Sequence, residues 1–521
     1  MKRAVLIALL LVGAIRIAST YTTFSETADE PMHLAAGLQI LTHQTYWLQL
    51  QNPPLPRLLI ALPPYLAGAR WDGTSGDPIK EAIATFYTTG HYKTLLVLGR
   101  VGTLVFFVIG ALATWAWVRR ESDELTALVA LLFFTTQPSI LGHSGLATLD
   151  TPGVAGMAVA LLAFSRWVER PTLARAAVLG VAWGFSINCK LLCLAYVPIA
   201  CAAIYAVRLA RDEQTRARWR SIYTVAVVPP LAALLIWAGY GFSFNADTLV
   251  PAPAFVEGIA QMIEVNRAGF PSYALTRWSN EGWWWYFPLA LALKTTIATL
   301  LLFVCGFFFA RRNAVFFEAA AAALAILGWS MTTHVNIGIR YILPIYVPLS
   351  FAAAITVRQF LGFLGSSGSS GETADVQPLR RTPRYPEVLR GTVFVLLAWH
   401  LIASFAAHPD YLAYFNEAAV RDPSYYLIDS NLDWGQDVLR LRNEVRRLKI
   451  PALGVALFGP PDLDKLGFPP HHWVDPMTPT TGWVAVSDGV YRWGRPFGGY
   501  AWLARADCRR IGKSIRLCHM Q

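Results

Sequence analysis

Asp29-Glu30-Pro31 sets two carboxylates side by side directly after the first apolar run of this 521-residue chain. If that run crosses a membrane from the inside, the pair emerges at the outer water–lipid boundary, placed for chemistry on a lipid-linked substrate. An ionised carboxylate there can accept a proton from an attacking hydroxyl, while its neighbour orients the attacking group or binds a cation. The pair also has a purely structural use. Pro31 suits the first turn of a helix, so Asp29 and Glu30 would sit where exposed N–H groups and the helix dipole favour negative charge. His33 stands four residues after Asp29, on the same face if the helix begins that early, and can steady a phosphate or simply pack.

The elements that must hold these groups are membrane spans. With 55% hydrophobic, 13% aromatic and 15% charged residues and a mean hydropathy of +0.41, too few polar side chains remain to cover a soluble globule. A helix needs about 20 apolar residues to cross the hydrocarbon, and about eleven candidate spans centre near residues 12, 105, 133, 159, 181, 200, 232, 296, 323, 349 and 398. Met1-Lys2-Arg3 and the following apolar run also have the form of a secretory signal peptide. A retained helix is the expectation, because cleavage would leave the other spans out of step with the charge pattern. Alternating from an inner start, the inner loops hold Arg119-Arg120, Arg166 with Arg170, the run Arg208 to Arg220, Arg311-Arg312, and Arg380, Arg381 and Arg384. That is the positive-inside pattern for an odd number of crossings. The net charge of +11 therefore serves orientation. Nucleic acid is not an expected partner, since the basic residues are scattered over short loops with no recognition fold.

The expected organisation is a polytopic α-helical membrane domain over 1–406, with outer loops 22–92, 142–150 and 242–283, followed by a small extracytoplasmic α/β domain over 407–521. Two amphipathic stretches in the first loop, one with Leu34, Leu38 and Leu41 on a face and one from Leu55 to Ala69 broken at Pro63-Pro64, should lie along the membrane surface. Val256, Ile259 and Ile263 form a similar stripe in the third loop. Gly365 to Gly371 reads as a flexible inner linker. In the tail, Asp433 and Gln436 have capping-box spacing before a helix whose Val438, Leu441, Val445 and Leu448 share a face, and 452–458 and 483–491 read as strands. Cys189, Cys193, Cys201 and Cys305 lie in or beside apolar spans. Cys508 and Cys518 fall outside, where a disulfide can form.

The ordered set of motifs resembles bacterial phospholipid-carrier-dependent glycosyltransferases, relatives of the protein O-mannosyltransferases and lipid A aminoarabinose transferases in the GT-C superfamily. It runs from Asp29 to Gly37 and Asn52-Pro53-Pro54-Leu55, through His143 to Asp150-Thr151-Pro152, to Gly282-Trp283-Trp284-Trp285-Tyr286-Phe287-Pro288 with Lys294-Thr295. Asn336-Ile337-Gly338 with Arg340-Tyr341, Tyr414-Phe415-Asn416-Glu417, and Asp429-Ser430-Asn431-Leu432-Asp433-Trp434-Gly435-Gln436 complete it. The aminoarabinose transferases tend to carry Lys before the Pro-Pro pair, where this chain has Asn52. Arg57 is a candidate replacement.

The resemblance implies a sugar donor on a polyprenyl phosphate used from the outer leaflet, with Asp29 as base, Glu30 as its partner and Asp150 as a second acidic site. Asp150 can equally cap the helix that carries Pro152. Cations near the carrier phosphate would stabilise charge as the sugar departs, and Arg57, Lys294 and Arg340 are candidates beside the alternative of snorkelling to headgroups. His143, Trp284, Tyr286, Asn336 and Tyr341 are candidate substrate contacts, although Trp283 to Tyr286 also fit an interfacial aromatic belt. Whether a divalent cation assists is open: Glu30 and Asp150 could share one, and carboxylates also operate without one. The reading is a glycosyltransferase of the bacterial cytoplasmic (inner) membrane, moving a hexosyl or pentosyl unit to a hydroxyl of a glycan, lipid or protein. Direct attack would invert the anomeric centre. The other class considered is a glycolipid transporter or flippase, which would be expected to carry ionisable groups at mid-membrane and repeated halves.

Overall fold

The computed structural model describes residues 2–73, 77–87, 89–361 and 387–521. The Gly365–Gly371 linker and Arg380, Arg381 and Arg384 lie outside the described residues. Ten of the eleven expected span centres lie within helices: Lys2–Ala18, Tyr92–Glu121, Glu124–Thr136, Asp150–Glu169, Leu173–Cys189, Cys193–Arg211, Val228–Gly239, Ala314–Ser330, Tyr346–Leu361 and Glu387–Ala406. The eleventh, near 296, falls in a break between Tyr286–Lys294 and Ile297–Phe309.

Length alone supports fewer crossings than eleven. Among the described residues five helices are long and apolar enough to span a membrane, or seven if each of two bent pairs is one span. Lys2–Ala18, Leu173–Cys189 and Ala314–Ser330 each run 17 residues, the short end of what crosses hydrocarbon.

The two bends are built by particular side chains. Pro138 has no N–H to continue the helix ending at Thr136, and the following helix Pro138–Ser144 turns away by 59°. The second bend, between Lys294 and Ile297, is 114°. Breaks at membrane depth must find partners for freed backbone groups, and here each break serves the other. Gln137 Nε2 and Ser139 Oγ donate to the Lys294 carbonyl at 3.1 and 2.8 Å. His400 touches Thr136 Oγ1 through Nε2 and Thr296 Oγ1 through Nδ1, both at 2.8 Å. Asn416 completes the second bend by donating to Ala292 O (2.6 Å) and Thr295 O (2.8 Å).

The two stretches expected to lie along the membrane surface form helices Glu30–His43 and Pro54–Leu66, but Leu34, Leu38 and Ile60 are buried within the protein rather than turned to a membrane surface. The second runs on through Pro63-Pro64, which stand in its final turn. It lies tightly between two neighbours: a Cβ on Gly37 would meet Arg57 O at 2.2 Å, and one on Gly102 would meet Leu59 O at 2.0 Å. The third-loop stripe falls on Pro253–Ala268, with Val256 and Ile263 exposed.

The tail carries a five-stranded sheet in the order 471–473, 453–456, 482–487, 515–520, 508–511. Leu453–Ala456 pairs in parallel with both its neighbours, and the other pairings are antiparallel. Helix Val438–Arg447 buries Val438, Leu441 and Val445. These share one core with Leu34, Leu38 and Ile60 of the first outer loop, so the tail is docked on the helices that follow the acidic pair. The capping box does not form. Asp433 instead accepts from Gly489 N at 2.7 Å, and Gln436 Oε1 accepts from Trp434 N at 2.8 Å. The strand expected over 483–491 ends at Ser487, where helix Asp488–Gly494 begins. Cys508 and Cys518, opposite each other on adjacent strands, form a disulfide.

Candidate active site

Asp29 occupies the N-cap position of helix Glu30–His43, yet its side chain makes no capping bond. Its Oδ2 instead receives Arg340 Nη1 at 2.5 Å. The carboxylate is 31% exposed against 12% for the arginine side chain, so one face of the pair meets solvent. Arg340 rides on the short turn Ile339–Ile345, which begins after Gly338. Its guanidinium lies 4.4 Å from the Trp434 ring centre and 5.6 Å from that of Tyr341. A planar guanidinium stacked this way is fixed in orientation, and it is the group suited to phosphate recognition.

Asp150 forms a second centre. Lys190 Nζ donates to its Oδ1 at 2.7 Å, Thr148 Oγ1 donates to Oδ2 at 3.1 Å, and His143 Nδ1 stands 3.5 Å from Oδ2. The residue opens helix Asp150–Glu169 without a side-chain capping bond. Lys190 also donates to Arg340 O at 3.1 Å, which ties the two ion pairs together. Tyr341 lies between the cations, its ring centre 5.5 Å from Lys190 Nζ.

Glu30 is placed differently from the expectation. Its two oxygens receive Arg100 Nε and Nη2, each at 2.8 Å, and also Thr27 N and Ala147 N at 2.8 Å. Both side chains of the pair are fully buried. Arg100 further binds Tyr21 O, Phe24 O and Ser25 O, so Glu30 locks the acidic loop to helix Tyr92–Glu121. With its lone pairs taken and Asp150 held by Lys190, the two carboxylates do not fit a shared divalent cation. Among the described residues no cluster of three or more His, Cys, Asp or Glu side chains suits a metal.

The other expected phosphate ligands are turned inward. Arg57 is buried and donates to Leu48 O (2.7 Å), Gln49 O (3.0 Å) and Gln49 Oε1 (3.1 Å), which shapes the loop ahead of Pro53. Lys294 is buried by the 114° bend, with Nζ on Leu412 O at 2.8 Å and Asn431 O at 2.5 Å. Both side chains are buried and spend donors on backbone carbonyls. His33 is buried with Nδ1 unpartnered; burial first, and then the nearby Arg57, push its pKa down to about 3. A neutral imidazole cannot steady a phosphate by charge. Asn336 holds its own turn, accepting from Trp283 N and donating to Thr333 O. Tyr286 is buried and its hydroxyl accepts from Asn431 Nδ2 at 3.1 Å. Trp284 is exposed, as an interfacial aromatic would be.

Residues 94–238 match the family described as dolichyl-phosphate-mannose-protein mannosyltransferase. ArnT from Cupriavidus metallidurans in its apo state superposes over 98% of this chain and 97% of its own, with a TM-score of 0.50 and 12% identity. The fold is ArnT-like. The undecaprenyl-phosphate-bound form of the same protein aligns over the same shares at 0.47 and 12% identity. The apo oligosaccharyltransferase of Archaeoglobus fulgidus aligns over 79% of this chain and 56% of its own, at 0.47 and 12% identity. No curated protein matches the chain in sequence.

Within this ArnT-like frame, sequence reasoning missed Arg100 and Lys190. Each stands apart from other cations, Arg100 within an apolar helix and Lys190 just after one, and an ionisable side chain in such a run marks a site or a buried pair. That signal was present at both positions. Their partners, 70 and 40 residues away, were not.

Proposed function

We propose that this protein is an integral membrane glycosyltransferase that moves one sugar from a polyprenyl-phosphate carrier to an acceptor hydroxyl, with inversion. The observation that carries the reading is the partly exposed Asp29–Arg340 pair at the start of the first outer helix, coupled through Lys190 to Asp150. Arg340 binds the carrier phosphate and stabilises the charge it gains as the sugar departs. Asp29 accepts the acceptor proton, and Asp150 holds Lys190 beside the phosphate. The matched family's description, which names a dolichyl-phosphate donor, supports this donor class. A transporter is not favoured, because the ion pairs Asp29–Arg340 and Asp150–Lys190 gather at one end of the bundle.

The test is to incubate purified protein with a panel of polyprenyl-phosphate sugars and to follow the lipid products by mass spectrometry. Free polyprenyl phosphate is the expected product with one donor class. Arg340→Ala should weaken carrier binding about 10- to 100-fold, the range for a lost bond to a charged group. Unchanged affinity would remove Arg340 from the phosphate site.

The active end is proposed to face outward from the bacterial inner membrane, with the tail on the same side. Arg100 and Arg120 stand 20 residues apart on one helix, about 30 Å along its axis and close to the hydrocarbon thickness. Arg100 is beside the acidic loop, whereas Arg120 pairs with Glu169 among the basic inner loops. In spheroplasts, an impermeant thiol reagent should label a cysteine placed at Lys449 and spare one at Arg312. The reverse pattern would invert the orientation.

A further inference from the structure

Trp434 belongs to the tail, yet its buried indole is packed against the Asp29–Arg340 pair. It stands between the short turn Asp429–Asn431 and helix Val438–Arg447. This stretch is closed on itself: Trp434 N donates to Gln436 Oε1 and Gln436 Nε2 donates to Leu432 O, both at 2.8 Å. Gly435 follows with a φ of 92°, a conformation that needs glycine. A Cβ there would stand 2.9 Å from the Cα of Gly459, so the loop after strand Leu453–Ala456 presses directly on the residue beside Trp434.

The stretch is joined to both halves of the pair. On the side of the base, Ala28 N donates to Trp434 O at 3.1 Å and Ser25 N donates to Gln436 O at 3.0 Å. Ser25 Oγ also donates to Gly435 O at 2.8 Å and accepts from Val438 N at 3.1 Å. Ala28 directly precedes Asp29. On the side of the cation, Ser430 Oγ donates to Ile337 O at 2.5 Å and Asn431 Oδ1 accepts from Ile339 N at 3.0 Å, next to Arg340. The indole ring bridges the two sides, its centre 4.4 Å from the Arg340 guanidinium and 6.2 Å from the His143 ring, which meets it edge-on. Among the described residues the guanidinium donates only to Asp29, and its buried Nε lacks a partner.

We propose that Trp434 is a positioning residue through which the tail completes the transfer site, its carbonyl placing the loop of Asp29 and its ring holding Arg340 for the carrier phosphate. This rests on the transferase reading above. Asp29 and the phosphate are anions that compete for one guanidinium, so the cation needs a hold that neither of them supplies. The indole face attracts the cation through its quadrupole and uses none of its five N–H donors. Arg340 can therefore turn its donors from carboxylate to phosphate while its plane stays on the ring. A substitution at Trp434 removes the ring and leaves the carbonyl, so the bond to Ala28 N survives and the ring is tested by itself.

The test is a double-mutant cycle on the affinity of the purified full chain for undecaprenyl phosphate, with Trp434→Leu and Arg340→Ala singly and together, and Trp434→Phe beside them. Trp434→Leu should weaken binding about 10- to 30-fold, the worth of a desolvated cation–ring contact. Phenylalanine, which keeps a smaller ring, should recover most of that loss. In the Arg340→Ala background the same Trp434→Leu change should cost less than about twofold, because the cation through which the ring acts is gone. An equal loss in both backgrounds would assign the effect to packing and overturn the proposal, as would unchanged affinity in Trp434→Leu. Should the leucine variant fail to fold, the cycle run with Trp434→Phe decides in the same way: a loss of about threefold confined to the Arg340 background is expected, and an equal loss in both backgrounds or none overturns it. A folded wild type that binds no undecaprenyl phosphate would instead overturn the transferase reading, and this inference with it.

Discussion

Asp29→Asn is expected to cut single-turnover transfer by about 10²- to 10⁴-fold, the usual loss when a general base is removed. Donor and acceptor are held at saturation so that the measurement reads chemistry. The amide keeps the size of the side chain and can still accept a hydrogen bond from Arg340, but it cannot take a hydroxyl proton. Helix Glu30–His43 should be indifferent to the change, because the native side chain makes no capping bond there. Thermal stability measured in parallel should therefore shift little, and carrier binding should persist or tighten as Arg340 loses its competing anion. A variant that transfers at the wild-type rate would reduce Asp29 to a counter-ion and make Asp150 the first candidate for the base.

How the site reads from sequence depends on the distance over which each residue is fixed. Asp29 and Pro31 announce a helix start because capping is local, and the helix begins at Glu30 as expected. Whether Asp29 caps that helix or faces a cation was undecidable locally, since Arg340 lies 311 residues away. Glu30 shows the same limit in reverse. Its type and position fit a catalytic partner, and only the fold brings Arg100 and Ala147 N onto it. Lys294 reads as a span-end cation in sequence because apolar periodicity does not register a 114° bend within the span. The strands of the tail were legible from alternation, whereas the capping box failed because Asp433 finds Gly489, 56 residues on.

Glu30→Gln should destabilise the protein by about 3–5 kcal/mol, the cost of removing one partner from a buried ion pair. Arg100 would be left charged and fully buried, with only the carbonyls of Tyr21, Phe24 and Ser25 and a neutral amide to receive its donors. Glutamine also presents an NH₂ where Thr27 N or Ala147 N now donates to a carboxylate oxygen, so at least one buried N–H loses its acceptor. The acidic loop is what these bonds hold in place, and Asp29 is its neighbour. Transfer should therefore fall as well, but through misplacement of Asp29 and with a parallel loss of thermal stability in detergent. Arg100→Ala should match it, since either change leaves one buried charge unpaired. The double variant Glu30→Gln with Arg100→Met should recover part of the stability, because no buried charge remains. If Glu30→Gln abolishes transfer while leaving the unfolding temperature unchanged, Glu30 takes part in the chemistry and the structural assignment is wrong.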